Sequence, residues 1–389
     1  MRLLYVSADH GIPVLGHKGA SVHVRELVTA LTEEGAQIAI ASPRIAPEGD
    51  RLDAHAELIE LEPVVAGKHA TTKSLRAAMT RQAEQLMSIA DRLGVDAIYE
   101  RHSLHSWAAA HVAKAAQLPY VLEVNAPLRD EARRFRSLAY PDVAAESEAR
   151  VYETADRIFA VSRPLATVLI RGGVDSAKVA VMRNAIAPAK FPAHRRRGRG
   201  FVFGFAGSLK PWHGIEVLTE AFASAARKIL DLRLEVVGDG PIAGVLERAD
   251  LPANRFRSYG ARPHDETLGI MATWDVGVAP YVAACPVFYF SPLKIAEYMA
   301  AGACPVASGL GDIPSLLGDG ERGVLVPPGD ASALACALVE LARDRARAAS
   351  LGARARAYAQ TSLSWRRNAR RVLHCLQSIR TRELEHVHP

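Results

Sequence analysis

The sequence predicts an α/β protein made of two successive doubly wound modules, each a parallel sheet wrapped by helices. Three observations lead there. Short apolar runs alternate with helical patterns through the first half, a basic stretch with two prolines interrupts them near position 190, and the same alternation then restarts. A chain of 389 residues that is 49% apolar is long enough for two domains, each burying its own core.

Taken in order, RLLYVSA reads as a buried first strand, SVHVRELVTALTEEG as an amphipathic helix and QIAIASP as the next strand. AELIEL, DAIYE, YVLEVN and DRIFAVS follow as strands between Ala-rich helical stretches, giving a first domain over 1–185. The stretch MRNAIAPAKFPAHRRRGRG then supplies a linker over 186–200, and the run Arg195 to Arg197 reads as a solvated segment. Beyond it FVFGFAG, LRLEVVG, DVGVAP, CPVAS and GVLVP are strands, with helices through VLTEAFASAARK and LKIAEYMAAG, so a second domain covers 201–360. The end, 361–389, reads as a helix followed by a frayed polar tail.

Composition removes several classes. No apolar run approaches the roughly 20 residues needed to cross a bilayer, and the opening lacks a signal-peptide pattern, so a cytoplasmic protein is expected. Cys285, Cys304, Cys336 and Cys375 are far apart with no Cys-x-x-Cys pair, which argues against a zinc site or a disulfide framework. The net charge of +6 is dispersed among carboxylates, which disfavours nucleic acid as a partner.

Three strand-to-helix junctions carry candidate chemistry. In HGIPVLGHKGASVHVREL, Gly11, Gly16 and Gly19 loosen a loop that runs into a helix, where free amides and the helix dipole favour an anion. VVGDGPIAG lacks the spacing of a dinucleotide fingerprint and its acidic ribose partner, so a nicotinamide enzyme is disfavoured. In FYFSPLKIAEYMAAG, Ser291 is expected as N-cap and Pro292 as the first helical residue, with the amides from Leu293 facing an anion. Lys294 then lies in the first turn, and Glu297, one turn on, is a carboxylate able to accept ribose hydroxyls; an ordinary capped helix with a surface glutamate fits the same residues. No Asp-x-Asp clamp, Gly-x-Ser-x-Gly, His-Glu-x-x-His or Walker loop occurs.

Over nearly its whole length the chain resembles the retaining, nucleotide-sugar-dependent glycosyltransferases of family 4, which have the GT-B architecture. The segments that carry this are GHKGASVHVRELVTALTEEG, ADRIFAVS, VMRNAIAP, FAGSLKPWHGIEVLTEAF, LRLEVVGDGP, SPLKIAEYMAAGACPVAS and GVLVPPGD, in the family's order. The resemblance implies two Rossmann-like domains facing a central cleft, the first binding the acceptor and the second the donor, with the helix from TSLSWRRNARR crossing back to the first. It implies a nucleoside diphosphate sugar, of UDP or GDP type, as co-substrate and no cofactor, while the missing Asp-x-Asp clamp gives the expectation that no metal is needed. The acceptor is a glycan, a lipid-linked sugar or a small molecule. Donor contacts fall on Gly19, Gly207, Ser208, Lys210, Gly238, Arg262, Tyr289, Ser291, Pro292, Leu293 and Glu297, with a backbone edge from Gly260 to Arg262 meeting the base.

The departures are specific. Gly207, Ser208 and Leu209 stand where the family usually has Gly-Arg-Leu, and His213 precedes Gly214 where it usually has lysine. Tyr289 holds the first position of the Glu-x7-Glu motif, whose second glutamate is Glu297, and Asn125 replaces a customary histidine. Both usual phosphate cations are therefore missing, and the expectation is that Lys294, with Lys210 or a protonated His213, stands in for them. Asn125, Lys294 and His213 are the expected catalytic residues, with Asn125 positioning the sugar or acceptor by hydrogen bonds. Arg101 and His102 lie on the acceptor side. A nucleotide-sugar epimerase or phosphorylase of similar architecture, and a non-catalytic nucleotide-sugar-binding partner, are the other readings. Finally, RDEARRFRSLAY is expected as a basic amphipathic helix carrying Arg129, Arg133, Arg134, Arg136, Phe135 and Leu138, suited to peripheral contact with anionic lipid.

Overall fold

The computed structural model describes residues 1–46, 51–67, 70–192, 200–249, 251, 254–284 and 286–387, with backbone alone for 382–387. The arginine run at 195–197, Cys285 and the last two residues lie outside the described residues. The chain divides into two compact units: Met1–Arg183 with Tyr289–Ser291 and Trp365 onward, and Asn184–Phe288 with Pro292–Ser364.

In the first unit the elements run β1 (Arg2–Ser7), α1 (Gly19–Glu33), β2 (Gln37–Ser42), β3 (Ala56–Glu60), α2 (Thr72–Leu93), β4 (Ala97–Arg101), α3 (Ala108–Ala115), β5 (Tyr120–Val124), α4 (Leu128–Phe135), α5 (Pro141–Thr154), β6 (Arg157–Ala160), α6 (Arg163–Arg171) and β7 (Val179–Val181). The seven strands form one parallel sheet in the order β3-β2-β1-β4-β5-β6-β7. β1, β4 and β5 are buried along almost their whole length, as near-continuous apolar runs require in a sheet covered on both faces. The order reverses between β1 and β4, where doubly wound sheets open a crevice at their strand carboxyl ends.

The second unit runs β8 (Phe201–Ala206), α7 (Ile215–Ala226), β9 (Leu232–Val237), α8 (Gly244–Arg248), β10 (Phe256–Ser258), α9 (His264–Met271), β11 (Val276–Ala279), α10 (Leu293–Ala301), β12 (Cys304–Ser308), α11 (Ile313–Leu316), β13 (Val324–Val326), α12 (Ala331–Arg343) and α13 (Arg345–Ser362). Its parallel sheet has the order β10-β9-β8-β11-β12-β13, with the reversal between β8 and β11. The last helix, α14 (Trp365–Val387), belongs to the first unit and packs on α1, where Arg370 donates to Glu34 at 2.7 Å.

Several expectations need correction. The last helix, α14, extends to Val387, further than the sequence pattern suggested. The basic helix is shorter than expected: α4 ends at Phe135, so Arg136 and Leu138 are not on it. Arg136 turns back to Glu131 at 2.9 Å and Arg129 pairs with Glu148 at 3.2 Å, leaving Arg133, Arg134 and Phe135 exposed. The short strands β7 and β10 were not anticipated. No described helix is long and apolar enough to cross a membrane.

One packing arrangement seats the helix that matters most. Gly204 of β8 and Gly277 of β11 pair side by side. A methyl on Gly204 would fall 1.9 Å from the Trp274 ring and one on Gly277 2.3 Å from the Tyr298 ring, so the two glycines make room for both rings. Trp274 and Tyr298 are fully buried and meet edge to face at 5.8 Å. The Tyr298 hydroxyl accepts from the Ala206 amide at 2.9 Å and points its own proton at the Val278 carbonyl, 3.4 Å away, tying α10 to the ends of both strands. Gly277→Ala is expected to destabilise the protein by about 1–3 kcal/mol through overpacking against this ring, measured by denaturant melting. A variant as stable as the wild type would show that the trough is not needed.

Candidate functional site

The strand carboxyl ends of the second unit are laced together by their loops. The Gly207 amide donates to Val237, Leu209 to Asp239 and Gly238 to Gly260, joining the exits of β8, β9 and β10. Gly207 and Gly238 adopt φ of 134° and 130°, and a methyl on Gly238 would lie 2.0 Å from the Gly207 carbonyl, so close loop packing requires glycine here. After Gly207 and Ser208 the chain makes a short helical turn over Pro211–His213, which Lys210 precedes, and then enters α7.

Lys294, in the first turn of α10, reaches back into this junction. Its Nζ is buried, lies 4.0 Å above the Phe205 ring and 5.4 Å from that of Tyr281, and would be 2.8 Å from a methyl on Gly207. It has no hydrogen-bond partner among the described residues. Burial pulls its pKa down to about 7, with Glu297 opposing the shift. A buried amine in the first turn of a helix, cushioned on aromatic faces and without a hydrogen-bond partner among the described residues, is arranged to receive an anion.

Glu297, on the next turn, is 7% exposed, and its Oε1 accepts a hydrogen bond from His264 Nε2 at 2.7 Å. Arg262 and Ser208 are exposed, on the loops leading into α9 and into the short turn.

Two expectations fail here. His213 is not a protonated stand-in cation: burial, then the neighbouring Lys294, lower its pKa to about 3, so the ring is neutral at pH 7. Its Nδ1–H donates to the Ser208 carbonyl, which leaves Nε2 as a lone pair that cannot donate to a phosphate. Ser291 is not the N-cap either. Pro292 is extended (φ −73°, ψ 105°) and occupies the cap position without a side-chain bond, so α10 starts at Leu293. Tyr289 and Ser291 belong to the first unit, where the Tyr289 hydroxyl donates to Glu131 at 2.9 Å.

The first unit holds a separate polar cluster at the ends of β4 and β5. Glu123 is fully buried and accepts from Tyr99 at 2.5 Å, His23 at 2.9 Å, Arg101 at 3.0 Å and Asn125 at 2.5 Å. Burial alone would raise its pKa, but His23, Arg101 and Tyr99 outweigh this and hold it at about 2. Asn125 spends its amide nitrogen on that carboxylate, so its carbonyl oxygen faces away from Glu123. His102 is buried with Nδ1 unpartnered, and desolvation lowers its pKa to about 4. Gly19 opens α1 and is exposed, and a methyl there would touch nothing.

Sequence reasoning thus placed Gly207, Ser208, Lys210, Gly238, Lys294 and Glu297 in the second unit, and Asn125, Arg101 and His102 in the first. It missed His264, Glu123 and His23. A glutamate inside the apolar strand YVLEVN was a readable sign of a buried charge.

Residues 17–190 match the family model described as Glycosyltransferase Family 4, and residues 200–344 that described as Glycosyl transferases group 1. The glycogen synthase of Mycobacterium tuberculosis is 25% identical over 94% of this chain and 92% of its own length. Sucrose-phosphate synthase from Thermosynechococcus elongatus superposes with a TM-score of 0.76 at 20% identity, covering 98% of this chain and 99% of that one. Anabaena HepE, solved with UDP-glucose, gives 0.73 at 18% identity over 97% and 100%. These likenesses show the GT-B fold.

The lowered Lys294 pKa sets a pH dependence. Above about 7 the amine is increasingly neutral, while a bound anion favours its charged form, so binding takes up a proton. Calorimetric affinity for sulfate, an anion that does not itself titrate here, is expected to strengthen as pH falls from about 9 to about 7 and then level off. Lys294→Met is expected to flatten that profile, and an unchanged profile would rule out Lys294 as its source.

Proposed function

We propose that this chain, a glycosyltransferase of the family-4 type, moves a hexosyl group from a nucleoside diphosphate hexose of UDP or GDP type to an acceptor hydroxyl or amine, with retained anomeric configuration and without a bound metal. The observation that carries this is the buried Lys294 amine without a hydrogen-bond partner at the start of α10. HepE has been solved with UDP and with UDP-glucose, which supports the same donor class here. The glycogen synthase likeness supports a hexose donor and a glycan among the acceptors; lipid-linked sugars and small molecules remain acceptor classes of the same reaction.

The donor diphosphate lies against the amides that open α10, with Lys294 supplying the fixed charge and Lys210 a second one at the loop. As the bond from the anomeric carbon to the phosphate oxygen breaks, charge gathers on the leaving diphosphate, and a desolvated ammonium already in place stabilises it more than it stabilises the bound donor. The acceptor oxygen forms the new bond to the anomeric carbon, and its proton passes to the departing phosphate, so no side chain need act as base. His213, being neutral, adds no charge but fixes the loop through Ser208. Glu297 accepts the ribose hydroxyls, and the carbonyl oxygen of Asn125 accepts from a sugar or acceptor hydroxyl.

The test is turnover of UDP- and GDP-hexoses with a panel of acceptors. Lys294→Met, which keeps an apolar stem over Phe205, is expected to lower kcat by about 100-fold, a typical cost of losing one preorganised charge contact, while EDTA leaves the wild type active. Wild-type kcat in Lys294→Met would refute the role of this cation. Activity abolished by EDTA and restored by manganese would refute metal independence.

A further inference from the structure

We infer that His264 is a positioning residue for Glu297: it ties down one carboxylate oxygen and leaves the other for the ribose of the nucleotide. This rests on the proposed donor reading of the site and goes beyond it, because it assigns a residue on a different helix to the recognition of the sugar hydroxyls.

Three observations carry the inference. Glu297 is almost fully buried in α10, among Ile295, Ala296, Tyr298 and Met299, which are buried too. A carboxylate in such surroundings needs hydrogen-bond donors, and the one it has is His264 Nε2 on Oε1 at 2.7 Å. Among the described residues no partner takes Oε2. The carboxylate is therefore half satisfied, fixed at one oxygen and open at the other. A carboxylate held at one oxygen loses less rotamer freedom when a diol binds, which is how a supporting residue raises affinity without touching the ligand.

The position of His264 fits this role. It is the first helical residue of α9, directly after Pro263, and α9 packs against α10. Pro263 limits the backbone just before the helix, and the loop at Gly260 to Arg262 leads into it. The same short segment would then bear on both the base edge and the ribose carboxylate. His264 itself is placed behind Glu297 as its support, and is not a catalytic residue.

The experiment measures calorimetric affinity for UDP and GDP, and for the dideoxyribose analogue of whichever binds, with wild type, His264→Ala, His264→Gln, Glu297→Ala and the double variant. Glu297→Ala and His264→Ala are each expected to weaken the diphosphate by about tenfold, and the double variant no more than Glu297→Ala alone, as coupled residues behave. Gln can place an amide N–H where Nε2–H lies, so His264→Gln is expected to restore most of the affinity. All five proteins are expected to bind the dideoxy analogue alike, which a general loss of folding would not allow. Unchanged affinity in His264→Ala beside a weakened Glu297→Ala overturns the inference and leaves the donor reading standing. Equal weakening of His264→Ala toward ribose and dideoxyribose forms overturns it as well. A wild type that binds neither UDP nor GDP overturns the donor reading, and this inference with it.

Discussion

Two glycines side by side on β8 and β11 leave the trough into which Trp274 and Tyr298 pack, and through Tyr298 that packing decides where α10 lies. The rest of the second unit's site is a consequence of that seat. With Tyr298 pinned to Ala206 and Val278, its neighbour Glu297 must sit at the strand ends, and Lys294, one turn earlier, must reach back toward Gly207. Packing that contains no chemistry of its own therefore sets the geometry of the groups that do.

The first unit shows how environment sorts identical side chains. Glu100 and Glu123 are both fully buried on adjacent strands, yet their ionisation differs. Glu123 has His23 and Arg101 beside it and stays charged, whereas Glu100 has only the Tyr120 hydroxyl against desolvation and its pKa is pushed up to about 8. In strand register Glu123 lies beside Arg101, so the pairing of β4 with β5 delivers the counter-charge to one glutamate and withholds it from the other.

Much of this was legible beforehand because short continuous apolar runs mark strands buried on both faces and helical apolar periodicity marks the buried side of a helix. The strands RLLYVSA, YVLEVN and FVFGFAG, and the helix through LKIAEYMAAG, all follow from pattern alone. β7 and β10, three residues each, were too short for a pattern to register. Lys294 and Glu297 were readable because they share one helix, so spacing along the chain fixes their relation. His264 was not, since its bond to Glu297 joins residues 33 apart and only tertiary packing creates it. The expected charge on His213 failed for a different reason: residue type indicates what can ionise, while burial decides whether it does.

The neutral His213 also bears on which substitutions this site can accept. The family that the chain resembles usually carries a lysine at that position, but here Lys294 already occupies the neighbouring dry space, and its charge is felt at the His213 ring. Two ammonium groups sharing that space would each raise the cost of the other. Replacing His213 by lysine would be disfavoured while Lys294 remains, and replacing Lys294 would leave the junction without its buried cation. The two positions are thus coupled: whichever side chain stands at 213 has to tolerate the Lys294 charge beside it.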